Sequence, residues 1–228
     1  RILGESPYQS PTDMGVNMAG NCIFDDEAVS DASRREIVRR YYQAMCDLRT
    51  GRGEESAVAK IELLMNKAEI TVDINPTVAA SLRKAEETGM PAVAIELPDG
   101  QVITGKTSSL LGASSAALLN ALKVLAGLDD SLHLIAPEVI EPIQHLKVSH
   151  LGNHNPRLHT DETLIALSIS AVTDPNAERA MEHLAELSGC DAHSTVILSQ
   201  VDTDVFRKLG VNMSCEPRYQ TKKLYHKR

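Results

Sequence analysis

The sequence lacks the features of a membrane protein and of a small domain held together by disulfides or zinc. No apolar run approaches the roughly 18 residues that a membrane-spanning helix needs. The four cysteines, Cys22, Cys46, Cys190 and Cys215, lie far apart and include no C-x-x-C pair. A zinc knuckle and a thioredoxin-like redox site are therefore excluded, and reduced thiols in a soluble cytoplasmic protein are expected.

Basic residues are few relative to acidic ones. The chain has 23 Lys and Arg against 31 Asp and Glu, which gives a formal net charge of −8 at pH 7. A surface of this charge repels a phosphate backbone unless its basic residues are clustered. Nucleic acid is therefore not expected as a partner, and the basic residues at 218–228 are interpreted as a solvated end.

Residues 1–90 are predicted to form a helical subdomain of three amphipathic helices. The first follows the cap candidates Asp25 and Asp26, and the third begins at Asn75 and Pro76, where a missing N–H costs nothing. Because the chain of 228 residues begins at Arg1 rather than at a methionine, it is also expected to continue a longer gene product. The expected buried positions are Ile37, Tyr41, Met45 and Leu48 in the first helix and Val58, Ile61, Leu64 and Met65 in the second.

Residues 91–228 are predicted to form an α/β domain with a mixed sheet. Two short apolar runs flank Asp99-Gly100, which is a hairpin signal. The order of strand, helix and strand over 195–215 predicts a parallel pair. The fold class is therefore α+β or α/β. Further strands are expected at 132–135, 195–198 and 211–215, and helices are expected from Ser114, at 175–187, at 202–209 and at 164–172, where a buried strand is the alternative.

Residues 100–107 match the phosphate-loop pattern G-x-x-x-x-G-K-T letter for letter. That loop needs a strand before it and a helix that starts at the lysine. Gly100 already belongs to the Asp-Gly turn, and residues 102–104 alternate like a strand. The segment is therefore interpreted as a hairpin, and Lys106 at its end remains a candidate contact for an anion.

Three histidines and two carboxylates lie within residues 150–162. His150, His154 and His159 match no known zinc spacing, so no metal site is predicted. Asn155, Arg157 and the N-terminus of the next predicted helix favour an anion site instead. The remaining interpretation is a polar loop that only satisfies its own backbone.

Pro156 stiffens this loop and biases the residue before it toward an extended conformation. In an extended segment Arg157 and His159 face the same side, with Leu158 between them as an anchor to the core. Glu162 is then either the proton partner of His159 or one half of a structural ion pair.

Several motifs resemble a bacterial family catalogued as domain of unknown function 1846. The resemblance covers essentially the whole chain and corresponds to the C-terminal half of those proteins. It implies that an N-terminal α/β half, with its own glycine-rich segment, belongs to the full-length protein. The motifs are SPTDMGVNM at 10–18, RYY at 40–42, IELLM at 61–65, GKTS at 105–108, NPRLH at 155–159 and AHST at 192–195.

The resemblance implies a fold but no established activity. The C-terminal part of the family is similar in topology to the cytidine-deaminase-like fold. The zinc-binding His/Cys-x-Glu and Pro-Cys-x-x-Cys elements of deaminases are absent from this sequence, so deaminase chemistry is not implied.

Residues that fall in these motifs are the site candidates. We expect a cytoplasmic enzyme half that binds a phosphorylated or nucleotide-like small molecule at the interface with its N-terminal domain. The other hypothesis is a non-catalytic module for assembly into a homo-oligomer. No cofactor is identified. Lys106 and Arg157 are expected to hold the anion, and Asn155 is expected to orient it. His159 and Glu162 are the candidates for proton transfer. The full set of ligand-binding candidates is Asp13, Asn17, Lys106, Thr107, Asn155, Arg157 and His193.

Overall fold

The computed structural model describes residues 26–220, in which helices pack against a four-stranded sheet. Asp13 and Asn17 lie outside the described residues. The strands are β1 Ala92–Glu96, β2 Val102–Lys106, β3 Asp191–Ser194 and β4 Asn212–Cys215. The α-helices of this range are α1 Asp26–Arg49, α2 Glu55–Lys67, α3 Pro76–Thr88, α4 Ala113–Leu125, α5 Pro137–His145, α6 Thr160–Ser170, α7 Pro175–Glu182 and α8 Gln200–Lys208.

The sheet is mixed, with the strand order β2-β1-β3-β4. Strand β1 pairs antiparallel with both β2 and β3, whereas β3 and β4 are parallel. This arrangement confirms the α+β fold class, the hairpin and the parallel pair. Gly100 has a φ of +84° in the turn between β1 and β2, which explains why glycine stands there. The likeness to the deaminase topology stays a prediction.

The third predicted helix is confirmed at both ends. The Asn75 side chain accepts a hydrogen bond from the Thr77 N–H, Pro76 is the first helical residue, and Gly89 ends α3 in a left-handed conformation. The predicted burial of Leu64 is wrong, because 47% of this residue is exposed on α2.

The buried face of α1 lies one residue further along than its periodicity indicates. Val38, Tyr42 and Cys46 are buried, whereas Ile37 and Tyr41 are half-buried. The reason is tertiary, since α1 packs against β4 as well as against α2.

Two predicted strands are wrong in position or in kind. Residues 132–135 form no strand, and Leu134 and Ile135 are apolar because they are buried in the main core. The strand expected at 195–198 is instead β3, Asp191–Ser194. Because β3 lies between β1 and β4, it buries polar side chains that hide its strand character in the sequence.

The segment before the histidine-rich loop has helical structure that the sequence did not indicate. Helix α5 contains Pro142 and continues into a π-helical turn, Leu146–His150.

The other predicted helices are present, with small differences at their ends. Residues 164–172 lie largely in α6, which confirms the helical interpretation. Helix α4 is capped by Gly112 rather than by the predicted Ser114. Helix α7 begins after its predicted cap Asp174.

The helical N-terminal part is packed on the sheet. Helix α3 contacts β1, β2 and β3, and α1 contacts β4. The ring of Tyr42 lies 4.6 Å from the ring of His193 on β3. A domain boundary at residue 90 stays a prediction. None of the helices between residues 26 and 220 has the length and apolarity of a membrane span.

Candidate functional site

A cavity of about 270 Å³ opens where the N-terminal ends of three helices meet. Gly112 precedes α4, His159 precedes α6 and Ser199 precedes α8, and all three residues line the cavity. Helix N-termini carry partial positive charge and free N–H groups. Side chains already accept from N–H groups at the starts of α6 and α8, so the start of α4 is the end that favours a negatively charged group.

The start of α4 forms one wall of this cavity without a side-chain cap. Its N-cap residue is Gly112, so no side chain bonds the first N–H groups of the helix. Helix α4 also lies very close to β2, because a Cβ on Gly105 would be 2.1 Å from the backbone nitrogen of Ala117. This close approach brings the uncapped start of α4 near the end of the strand.

Two nearly buried residues with hydroxyl groups lie at the same wall. Thr107 and Ser114 are each only 3% exposed and both line the cavity. Neither side chain has a hydrogen-bond partner within residues 26–220, whereas the adjacent Ser115 donates to the Leu158 carbonyl at 3.0 Å. Both hydroxyls are therefore free to donate to a ligand in the cavity.

The loop at 155–159 also lines the cavity, and Leu158 within it forms a parallel β-bridge with Leu111. Leu158 is fully buried, its N–H donates to the Leu110 carbonyl at 3.0 Å, and its carbonyl accepts from the Gly112 N–H at 3.2 Å. This anchor places the neighbours Arg157 and His159 on the same cavity.

Arg157 has no carboxylate partner in the part of the chain that the structure describes. Its Nε donates to the Ser108 carbonyl at 2.5 Å. The Asn155 side-chain oxygen accepts from the Arg157 N–H at 3.2 Å, which forms a local turn. The guanidinium therefore brings a net positive charge to the cavity lining.

His159 is paired with Asp202, a residue that the sequence analysis did not identify. The ring nitrogen Nδ1 of His159 lies 3.0 Å from Oδ2 of Asp202. The Ser199 hydroxyl donates to the same carboxylate oxygen at 2.7 Å. The other oxygen, Oδ1, accepts from both the N–H and the hydroxyl of Thr160 at 3.0 Å. The Asp202 carboxylate therefore both holds the His159 ring and caps the start of α6.

The charges of this pair reinforce each other. The hydrogen bond to Asp202 raises the pKa of His159, although burial opposes this change. Burial also opposes ionisation of Asp202, but its hydrogen bonds to His159 and Thr160 hold the pKa of this carboxyl below its usual value. Each shift favours the charged form of its residue, so the two side chains stabilise each other as an ion pair.

Glu162 contacts His159 through the backbone and not through the ring. Its Oε2 accepts from the His159 N–H at 2.9 Å and from the Lys147 ammonium at 2.5 Å. Lys147 is 3% exposed and also donates to the Arg157 carbonyl at 2.6 Å. Direct proton exchange between the His159 ring and Glu162 is therefore not the observed geometry, because Asp202 occupies that position.

Two other candidates lie away from the cavity. Lys106 is exposed and does not line it, since side chains alternate along β2 and Thr107 faces the opposite side. His193 is fully buried in the sheet, with Nδ1 2.8 Å from the Ser214 hydroxyl. Its Nε2 lies 3.5 Å from a Glu216 carboxylate oxygen.

A local signal for Asp202 exists in the sequence. Ser199 and Asp202 match the S-x-x-D helix-capping pattern, and the Asp202 N–H does donate to the Ser199 hydroxyl at 3.2 Å. Its pairing with His159, 43 residues away, has no local signal. Within residues 26–220, no three His, Cys, Asp or Glu side chains are grouped to hold a metal ion.

Comparison with known proteins assigns both parts of the chain to one family. Residues 1–69 match the family model described as domain of unknown function DUF1846, N-terminal, and residues 73–225 match its C-terminal counterpart. Similar curated proteins include a UPF0371 protein of Streptococcus thermophilus and one of Streptococcus pyogenes serotype M5. Each is 56% identical over 227 residues, which cover 100% of this chain and 46% of the relative. The chain therefore belongs to the DUF1846 family and spans about half the length of these relatives.

Proposed function

We propose that the cavity binds the phosphate group of a phosphorylated or nucleotide-like small molecule, as part of a cytoplasmic enzyme. The observation that carries this proposal is the uncapped N-terminus of α4, flanked by Thr107 and Ser114, two nearly buried residues whose hydroxyls have no hydrogen-bond partner within residues 26–220. Backbone N–H groups and hydroxyls together donate to the several oxygens of a phosphate.

The charges around the cavity support a phosphate ligand. Arg157 has no carboxylate partner among the described residues, and its guanidinium matches the geometry of phosphate oxygens. Asp202 also lines the cavity, but its carboxylate is engaged by His159, Ser199 and Thr160. The lining therefore offers donors to an anion rather than competing acceptors.

The remainder of the ligand is bound by the N-terminal half of the full-length protein. A volume of about 270 Å³ lies at the small end of ligand sites, so it accommodates the phosphate and its immediate neighbours. In the relatives, more than half of the chain lies outside the region matched here. We place the ligand at the interface between the two halves, in a homo-oligomeric protein.

Ligand-induced stabilisation tests this proposal on the 228-residue chain and on the full-length S. thermophilus relative. Inorganic phosphate and nucleoside monophosphates should raise the unfolding temperature, since ligand at 100 times its dissociation constant adds about 2.7 kcal/mol. Arg157→Gln and Ser114→Ala should weaken phosphate binding about ten-fold or more. The matched control is Lys106→Gln, which removes an exposed positive charge outside the cavity. Equal losses in the Arg157 and Lys106 variants would contradict the proposal.

A second candidate function is assembly through an apolar surface at the C-terminal end of α6. Ile165 and Ile169 lie four residues apart on α6, Val172 follows in the turn after it, and all three are more than half exposed. Exposed apolar groups that lie close together are typical of an interface. If a second copy covers this face, Ile165→Ser with Ile169→Ser should reduce the mass measured by light scattering without loss of phosphate binding.

A further inference from the structure

One nitrogen of the His159 ring remains available inside the cavity. Nδ1 is occupied by Asp202 at 3.0 Å, with the Ser199 hydroxyl at 3.4 Å. Nε2 has no partner within residues 26–220, and 32% of the side chain is exposed. Because His159 lines the cavity, Nε2 is the ring atom that can meet a bound ligand.

The Asp202 carboxylate that holds this ring accepts three further hydrogen bonds. The Ser199 hydroxyl, the Thr160 N–H and the Thr160 hydroxyl all donate to Asp202, which is only 7% exposed. A carboxylate held in this way fixes both the orientation and the tautomer of its histidine. Nδ1 therefore keeps its proton, and Nε2 is the atom that gains or loses one.

The other charged groups around the His159 ring have opposite effects on its protonation. Lys147, beneath the loop, disfavours the protonated ring, whereas Glu162 on α6 favours it. Arg157, in the same cavity lining, adds a second positive charge from the loop. The hydrogen bond to Asp202 outweighs burial and the charge of Lys147, so the pKa of His159 is raised.

Resting on the proposed function, we infer that His159 is the acid–base group of this site and that Asp202 is its positioning residue. The protonated ring donates from Nε2 to an oxygen of the bound phosphate group. When that oxygen takes the proton, the N–H bond breaks, its electron pair stays on Nε2, and the ring becomes neutral with Nδ1–H still on Asp202. The site would therefore take a phosphate compound that gains or loses a proton during its reaction.

The test measures sulfate binding to the 228-residue chain by calorimetry between pH 5.5 and 8.5. Sulfate keeps its two charges over this range, so any pH dependence comes from the protein. The wild-type affinity should fall about ten-fold as the pH rises through the pKa of His159, because a charged donor is lost. His159→Gln should bind sulfate more weakly at low pH and show no such fall.

The variant Asp202→Asn separates positioning from a purely structural role. The asparagine retains an oxygen that can accept from Thr160, but it lacks the charge that favours the imidazolium. Its binding profile should therefore keep the same shape with a midpoint at lower pH. The control is His183→Gln, since His183 also pairs with a carboxylate, Glu186 at 2.6 Å, but does not line the cavity.

Each result bears on one of the two claims. Sulfate binding that does not vary with pH, or that varies equally in His159→Gln, overturns the acid–base inference and leaves the proposed anion site standing. A profile unchanged in Asp202→Asn overturns the positioning role. Absence of sulfate and phosphate binding at every pH contradicts the proposed function itself.

Discussion

Gly105 on β2 lies directly against Ala117 on α4, where a Cβ on the glycine would be 2.1 Å from the Ala117 nitrogen and 2.5 Å from its Cα. Real Cβ atoms do not approach backbone this closely, so the helix and the strand can be in contact only with glycine at this position. The same contact holds α4, which carries Ser114, close to the strand that Thr107 follows.

Replacement of Gly105 by alanine should destabilise the protein by about 1–3 kcal/mol, because the added methyl group overpacks the interface between α4 and β2. Urea unfolding followed by circular dichroism measures this loss. Gly112→Ala is the control, since its Cβ would meet the Leu158 carbonyl at an ordinary 3.6 Å. A stability change no larger than the control's would show that α4 can shift away from β2 at little cost.

The pairing of His159 with Asp202 should make stability depend on pH. Because the pKa of His159 is raised in the folded state, its contribution is fully present below the unfolded value of about 6.5 and is lost as the pH rises through the folded value. The difference in unfolding free energy between wild type and His159→Gln should therefore shrink above pH 6.5. Urea titrations from pH 5 to 8.5 provide the measurement, and a constant difference would refute the prediction.

Loss of Lys147 should destabilise the loop at 155–159. Lys147→Met removes the donor to both Glu162 and the Arg157 carbonyl, and we expect a cost of about 1–3 kcal/mol. The double variant with Glu162→Gln should recover part of this loss, because a charge no longer remains without its partner. Full additivity of the two single changes in urea unfolding would show that the two side chains do not interact.

The thiols of Cys46 and Cys215 should react slowly in the native protein. Burial raises the pKa of each thiol to about 12, so the reactive thiolate is scarce at pH 8. Alkylation by iodoacetamide, followed by mass spectrometry of peptides, should be about 100-fold slower in buffer than in urea. Comparable rates in both conditions would show that these thiols are open to solvent.

Features with local chemistry could be predicted from the sequence. The Asn75-Pro76 helix start and the Asp99-Gly100 turn depend on residues whose backbone preferences act at that position. Strand β3 was misplaced because His193 is polar, and only its central place in the sheet makes it a buried strand residue. Helix α5 was missed because Pro142 lies inside it, where proline normally ends a helix.

The candidate site was predictable only in part, because some of its contacts join residues that are far apart in the sequence. Arg157 and His159 follow from an extended loop anchored by Leu158, which is a short-range argument. The partner of the His159 ring comes from α8, beyond an intervening strand, so nothing near His159 indicates Asp202 rather than Glu162. Lys106 matched a phosphate-loop pattern, but the alternation of β2 turns it away from the cavity.

The contact between the rings of Tyr42 and His193 bears on how the chain can be divided. Tyr42 lies in the part that matches the N-terminal family model, and His193 lies in the part that matches the C-terminal one. A C-terminal fragment that begins at the junction near residues 69–73 would lack Tyr42. The buried His193 ring would then be exposed to water, and one side of the sheet would lose the helix that covers it. Truncation at this junction should yield an aggregating or protease-sensitive fragment, because the C-terminal unit completes its interior with a helix from the N-terminal one.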